Sequence, residues 1–139
     1  MDLQTRYARS GAARLVYQVF GDGPIDLLYV PQSISAMEHI WDHPRVARFF
    51  ARLAAFSRLI LFDRRGSGMS ERLEEPASLE EQMDDVHAVL DAAGAERAAV
   101  AALYEGGSMA MLFAASAPER VTHLILYATY ARAGYPAQP

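Results

Sequence analysis

The sequence predicts an α/β fold with a mixed, mostly parallel sheet of about six strands and helices on both faces. Two observations carry this prediction. Short apolar runs alternate with segments of helical periodicity from residue 26 onward, a pattern typical of parallel sheets with right-handed crossovers. Before them, two short strand-like segments are separated only by Ser10-Gly11, which predicts an N-terminal antiparallel hairpin.

The hairpin strands are predicted at QTRYAR (residues 4–9) and RLVYQVF (14–20), the second ending at the turn Gly21-Asp22-Gly23-Pro24. The later strands are continuous apolar runs, typical of strands that are buried on both faces. They are IDLLYVP (25–31), RLILFD (58–63), RAAVAALY (97–104) and VTHLILYAT (121–129).

Three helices are predicted between these strands. The first, within residues 43–57, places Pro44 at a favoured first position. Its apolar stripe consists of Val46, Phe49, Phe50, Leu53 and Phe56. The second, within residues 77–94, opens with a capping box of Ser78 and Glu81. Its predicted buried stripe is Leu79, Met83, Val86 and Leu90, and Gly94 ends it. The third occupies residues 106–118 and ends at Pro118.

Composition excludes several functions. The formal net charge is −4 and no basic cluster stands out, so nucleic acid is not an expected partner. The chain has no cysteine, which excludes disulfides and thiolate chemistry. No run approaches the roughly 18 apolar residues of a membrane span, and the first residues lack an apolar signal region. We therefore expect a cytoplasmic protein that does not enter the membrane.

Two short motifs could indicate a dinucleotide-binding loop or a metal site, but the residues around each motif argue against it. FDRRGSGMS (62–70) has two glycines, but Glu71 stands where a dinucleotide-binding loop needs a third, so a tight turn is favoured. HIWDH (39–43) spaces two histidines by four residues, but Pro44 disfavours a helix there and no third ligand is near. The sequence predicts neither a cofactor nor a metal.

The segment VAALYEGGSMAMLF (100–113) is the strongest candidate site. An apolar strand stops at two glycines and resumes with helical spacing, as at the sharp strand-to-helix turns that carry a nucleophile. Such turns need small neighbours, which Ala102, Gly106 and Gly107 supply. The turn alone fits equally well an ordinary turn of any α/β protein.

The motifs together resemble the N-terminal part of the α/β-hydrolase superfamily, and are similar to the hydrolase-like domains beside bacterial class III adenylate or guanylate cyclases. FDRRGSGMS resembles that superfamily's D-x-R-G-x-G-x-S loop, SLEEQMDDVHAVLDAAG its next helix, and LYEGGSMAMLFAASAPERVTHLILYATYAR its nucleophile turn and sixth strand. The resemblance implies a truncated α/β-hydrolase fold. Residues 1–139 would form one domain lacking the cap and C-terminal strands.

The resemblance also assigns roles by position. Tyr104 occupies the place of the nucleophilic serine. The oxyanion hole would be formed by the N–H of Glu105 and by the loop containing Gln32 and Ser33. Ser108 lies one turn into the helix and is expected to be a helix residue. The superfamily's acid and histidine follow later strands, whereas the four histidines here, His39, His43, His87 and His123, precede those places.

These departures favour a non-catalytic, hydrolase-derived sensory or interaction module, with a small apolar ligand as a candidate. Two alternatives stay open: an ester- or amide-bond hydrolase that obtains its acid and histidine from a missing segment or another chain, and a fragment that assembles with a partner subunit. The apolar sixth strand, Thr122 to Tyr127, is expected at a sheet edge. Homo-oligomerisation through it, or binding of a partner chain, is therefore predicted.

Overall fold

The computed structural model describes residues 4–32 and 35–131. It confirms the predicted fold class: one six-stranded mixed sheet in the order β1-β2-β4-β3-β5-β6. In chain order the elements are β1 (Arg6–Ser10), β2 (Ala13–Phe20), β3 (Asp26–Val30), α1 (Pro44–Ala54), β4 (Arg58–Phe62), α2 (Leu79–Ala92), β5 (Ala98–Leu103), α3 (Gly106–Ser116) and β6 (Val121–Tyr127). Short 3-10 helices lie at Met37–His39 and Pro118–Arg120.

The hairpin of β1 and β2 is antiparallel, and β2 also runs antiparallel to β4. The other pairs, β3 with β4, β3 with β5 and β5 with β6, are parallel. The hairpin turn lies one residue later than predicted, because Ser10 still pairs with Ala13 and leaves Gly11 and Ala12 at the tip. Gly11 adopts φ 58°, a conformation that glycine tolerates without strain.

The sheet has a hydrophobic core on each face, because alternate strand residues point to opposite sides. On one face α2 and α3 cover the sheet. Residues central to this core are Leu28, Ile60, Val86, Leu90, Val100 and Phe113. On the other face the core is smaller and α1 contributes Phe50. Its central residues are Phe20, Leu27, Leu59, Leu61 and Met37.

In α2 the capping box of Ser78 and Glu81 is present as predicted, but the predicted buried stripe is wrong at its first residue. Leu79 is 61% exposed, because it begins the helix before the chain reaches the sheet. The buried positions of α2 are instead Asp85, Val86, Val89 and Leu90. A carboxylate therefore lies on the face that the apolar pattern assigned to the core.

The stripe of α1 is also less buried than predicted. Phe50 alone in α1 is fully buried, while Phe49 and Phe56 are exposed. These rings face an apolar groove of about 570 Å³ between α1 and β6. We define the apolar groove by its lining residues Ile25, Leu27, Tyr29, Phe49, Leu53, Phe56, Ala99, Ala101, Leu103, His123, Ile125 and Tyr127. Across the described residues no helix is long and apolar enough to cross a bilayer.

Candidate functional site

Three loops meet at the carboxyl edge of the parallel strands, where α/β proteins place their chemistry. They follow Val30 of β3, Phe62 of β4 and Leu103 of β5. The first and third are in close contact. A Cβ placed on Gly106 would lie 2.7 Å from the carbonyl oxygen of Val30 and 3.0 Å from that of Pro31. Only glycine fits between the start of α3 and the loop after β3.

Tyr104 lies at the tip of the turn from β5 into α3, with φ 50°. A bulky residue rarely adopts this left-handed conformation, so the surrounding contacts must hold it. The Tyr104 N–H donates to the Tyr127 carbonyl at 3.3 Å, and the Tyr104 carbonyl accepts the Gly107 N–H at 3.1 Å. The Thr129 hydroxyl also donates to that carbonyl. The side chain is 47% exposed, so the ring is presented at the surface of the turn.

The small neighbours predicted for this turn are required by the packing. Ala102 is fully buried in β5. Gly107 lies directly against the Thr129 side chain, which leaves no space for a Cβ. Together with Gly106, these residues clamp the turn between β3 and the segment that follows β6.

The predicted oxyanion-hole residues are placed as follows. Glu105 immediately precedes α3 with φ −65°, so its backbone belongs to the positive end of a helix dipole. Gln32 is half-buried and lines a cavity of about 280 Å³ together with Tyr29 and Asp63. Ser33 lies outside the described residues. Burial raises the pKa of the Tyr29 phenol, and the nearby Tyr104 adds to that rise.

The FDRRGSGMS segment, which begins at the end of β4, acts as a clamp that holds the loop after β3. Asp63 is fully buried. Its carboxylate accepts the N–H of Met37 at 3.0 Å and that of Met69 at 3.1 Å. The Ser67 hydroxyl accepts the Ser35 N–H at 2.6 Å and donates to the Ser35 carbonyl at 2.7 Å. The predicted tight turn is thus present, with positive φ at both of its glycines, and it also anchors the segment after β3.

Sequence reasoning missed this anchoring because Ser35 and Ser67 are far apart in the chain. The available signal was Asp63, an acidic residue directly after a fully apolar strand. A buried carboxylate must find donors, and here backbone N–H groups supply them.

Sequence reasoning also missed a charged cavity of about 740 Å³ beside the turn, lined by Arg64, Arg72, Glu105 and Ser108 among others. Arg64 donates to Gln82 Oε1 at 2.6 Å and contacts Met109 Sδ at 3.0 Å. Burial lowers the pKa of the Arg64 guanidinium, whereas the carboxylates of Glu105 and Asp85 oppose that shift. The lining of the cavity carries both signs of charge.

The four histidines lie in other parts of the fold. His39 bonds Asp42 on the surface, and His87 packs on Phe113 and contacts Arg120. His43 precedes α1, and His123 lines the apolar groove. Within residues 4–32 and 35–131 no group of three or more His, Cys, Asp or Glu is arranged to hold a metal.

Ser108 is a helix residue, as predicted. It lies in the first turn of α3, and its hydroxyl donates to the Tyr130 carbonyl at 2.8 Å.

Comparison with known proteins identifies the fold's relatives. No family model matches the chain. A RutD protein of Azorhizobium caulinodans, proposed to be a carbamate hydrolase, is 39% identical over 127 residues, which are 91% of this chain and 45% of that protein. A RutD protein of Caulobacter is 34% identical over 76 residues, 54% of this chain and 28% of that one. The chain thus spans less than half the length of these relatives.

Solved structures agree with this relationship. A hydrolase from Pseudomonas aeruginosa superimposes with a TM-score of 0.79 at 32% identity, covering 96% of this chain and 49% of that one. The enol-lactonase from Burkholderia xenovorans gives 0.77 at 28% identity, covering 93% and 48%. The chain therefore belongs to the α/β-hydrolase superfamily, and its described strands and helices match about half of the fold of those relatives.

Proposed function

We propose that this chain is a hydrolase-derived module that binds a ligand or partner and does not catalyse hydrolysis. The observation that carries the proposal is Tyr104 at the tip of the turn, in the place where hydrolases of this superfamily present a nucleophile. A hydroxyl is a weak nucleophile until it is activated, most often by an adjacent base that takes its proton. The histidines that would supply such a base have other contacts or lie on other elements.

The ligand that this architecture favours is small and apolar. The apolar groove of about 570 Å³ reaches the carboxyl edge through Tyr29 and Leu103, and its size falls within the range of small-molecule sites. Its lining offers only the Tyr29 and Tyr127 hydroxyls and the His123 ring as polar side-chain groups. Such a surface favours hydrocarbon or aromatic groups and gives a strongly charged molecule nothing to pair with.

A second candidate is hydrolysis of an ester, amide or carbamate by a complete assembly. It is favoured by the similarity to a proposed carbamate hydrolase and to a solved hydrolase, and by the fact that this chain spans less than half the length of each. In that case the acid and histidine would come from residues outside this sequence, and the tyrosine hydroxyl would replace the serine one.

Hydrolysis of p-nitrophenyl acetate and butyrate tests whether this chain hydrolyses esters without residues from outside the sequence. We expect no turnover above the buffer rate for the wild-type chain, and none for Tyr104→Ser, because a serine without a base is no better than a free hydroxyl. Turnover that Tyr104→Phe abolishes, while the matched control Tyr7→Phe retains it, would show that the tyrosine is a nucleophile. Turnover that survives Tyr104→Phe would show that the chemistry lies elsewhere.

A further inference from the structure

We propose that Arg64 binds the carboxylate of a small organic acid in the charged cavity, the one of about 740 Å³ between α2, α3 and the loop after β4. The charged cavity and the apolar groove share no lining residue. The organic acid would therefore occupy a second site, separate from the apolar site of the proposed function.

Arg64 is a half-buried cation whose side chain contacts neutral groups. Its Nη2 donates to Gln82 Oε1 at 2.6 Å and contacts Met109 Sδ at 3.0 Å. Among the ion pairs formed by the part of the chain that the structure describes, none includes Arg64. A guanidinium that is partly removed from water favours an anionic partner, and these contacts do not provide one.

The neighbouring Arg65 shows what a neutralised guanidinium looks like in the same loop. Arg65 donates to Asp85 at 2.8 Å and to Glu81 at 3.1 Å. The hydrogen bond to Asp85 raises the pKa of the Arg65 guanidinium, whereas burial lowers the pKa of Arg64. Two adjacent arginines thus differ, because one is paired with carboxylates and the other lines the cavity without such a pair.

The contacts of Arg64 hold it in place in the absence of a ligand. Gln82 accepts from the guanidinium through Oε1, and its Nε2 donates to the Ala77 carbonyl at 3.1 Å, so both ends of this amide are engaged. The Arg64 backbone N–H donates to the Ser35 hydroxyl at 3.1 Å. A cation that is positioned in advance loses less conformational freedom when it binds an anion.

Part of the guanidinium is available to a ligand. Both side-chain contacts of Arg64 use Nη2. Across residues 4–32 and 35–131 no hydrogen bond uses its Nε or Nη1. These nitrogens also carry N–H donors, and a carboxylate accepts charge-assisted hydrogen bonds from such donors.

The other charges of the lining limit the ligand to one negative charge. The carboxylates of Glu74, Glu75 and Glu105 are exposed around the cavity. They repel a phosphate dianion or a dicarboxylate more strongly than a monoanion, because the repulsion grows with the charge. The site therefore favours a monocarboxylate.

The cavity also has room for the rest of an organic acid. Its volume of about 740 Å³ falls within the range of small-molecule sites. Leu73, Pro76 and Met109 contribute apolar atoms to the lining, so an aromatic ring or a short alkyl chain can pack there while the carboxylate meets Arg64.

The first experiment titrates the ¹⁵N-labelled 139-residue chain at pH 7 with benzoate and hexanoate, and with benzamide as a neutral compound of nearly the same shape. We expect both acids to cause saturable NMR shifts at Gln82, Ser108, Met109 and the Arg64 Nε–H, and benzamide to cause none. The proposal is wrong if neither acid saturates, if benzamide binds as tightly as benzoate, or if the shifts centre on the apolar groove. Inorganic phosphate that binds more tightly than benzoate contradicts the carboxylate assignment.

The second experiment tests Arg64 itself. Arg64→Met should weaken benzoate binding by about tenfold or more, the share of a charge-assisted hydrogen bond. Arg97→Met is the matched control, because it removes an exposed arginine outside the cavity, and it should change the affinity by less than about twofold since exposed charges are screened.

Arg64→Lys and Arg97→Lys form a second matched pair that leaves the net charge unchanged. Lysine keeps the charge but lacks the planar donor group, so Arg64→Lys should bind benzoate with an affinity between those of the wild type and Arg64→Met. Circular dichroism checks that each variant is folded. Wild-type affinity in both Arg64 variants, or an equal loss in the Arg97 variants, overturns the proposal.

Discussion

Replacing Asp63 with alanine should destabilise the chain strongly although it removes no apolar contact. The buried carboxylate is the shared acceptor of two N–H groups, those of Met37 and Met69. Alanine cannot accept either bond, and Met37 is itself buried, so water does not readily replace the carboxylate. The substitution leaves two donors without partners.

The magnitude follows from those two donors. A buried polar group that loses its partner costs about 1–3 kcal/mol. Met69 is half-buried and lies at the low end of that range, so the total for Asp63→Ala is about 2–5 kcal/mol. Asp63→Asn keeps one acceptor oxygen and should lose about half as much. Domains of this size have about 5–15 kcal/mol of stability in all, so the alanine variant should lie close to its folding limit.

Tryptophan fluorescence can report on the loop that Asp63 holds in place. Trp41, the single tryptophan, follows the clamped segment and packs on Phe20 with ring centroids 4.8 Å apart. Urea unfolding should be recorded both by tryptophan fluorescence and by circular dichroism at 222 nm. If the clamp fails locally before the domain unfolds, the fluorescence transition will precede the dichroism transition.

The matched control is Asp42→Ala, which removes a surface carboxylate whose side chain is 75% exposed. It should change stability by less than about 0.5 kcal/mol. If Asp63→Ala and Asp42→Ala have the same urea midpoint, the buried carboxylate is not what joins the two loops, and the reasoning is refuted.

Substitutions at two further places test the turn and the ion pair of Arg65 with Asp85, whose side chains are 9% and 3% exposed. At Tyr104, where φ is 50°, Tyr104→Gly should be more stable than Tyr104→Ala by about 1 kcal/mol. At Ser108, inside α3, the order should reverse, with Ser108→Ala more stable than Ser108→Gly by about the same amount. Equal melting temperatures for Tyr104→Gly and Tyr104→Ala would mean that the turn relaxes. Asp85→Ala should cost about 2 kcal/mol. It removes the buried partner of the Arg65 guanidinium, whose Nε donates to Asp85 at 2.8 Å, but Arg65 keeps Glu81 at 3.1 Å and Ser10 at 3.2 Å. The double variant Arg65→Met, Asp85→Leu should recover most of that loss in thermal denaturation, and a double variant as unstable as the single one would contradict a desolvated pair.

The fold was largely readable from the sequence because its signals are local. The alternation of apolar runs with helical segments predicted β3 to β6 and all three α-helices, and the short turn predicted the hairpin of β1 and β2. The capping box of Ser78 and Glu81 marked the start of α2 to the residue. The small residues around Tyr104 likewise predicted a tight turn, because close packing excludes side chains there.

What remained hidden depends on contacts between distant segments. Periodicity shows that Leu79 and Phe49 lie on apolar helix faces, but not whether another element reaches them, and both are exposed. The pairing of Ser35 with Ser67 and the cavity beside Arg64 arise only when separate loops converge. The cyclase association and the roles of Gln32 and Ser33 stay predictions.

The close packing around Gly106 and Gly107 fixes the backbone of the turn without involving the side chain at position 104. Gly106 and Gly107 are fixed in place by the carbonyls of Val30 and Pro31 and by the Thr129 side chain. None of these contacts involves the side chain at position 104. Position 104 therefore presents its side chain at the surface of the turn, although its φ of 50° is easier for glycine than for any other residue. A substitution at this position changes the group that the turn presents, while the contacts that hold Gly106 and Gly107 stay the same.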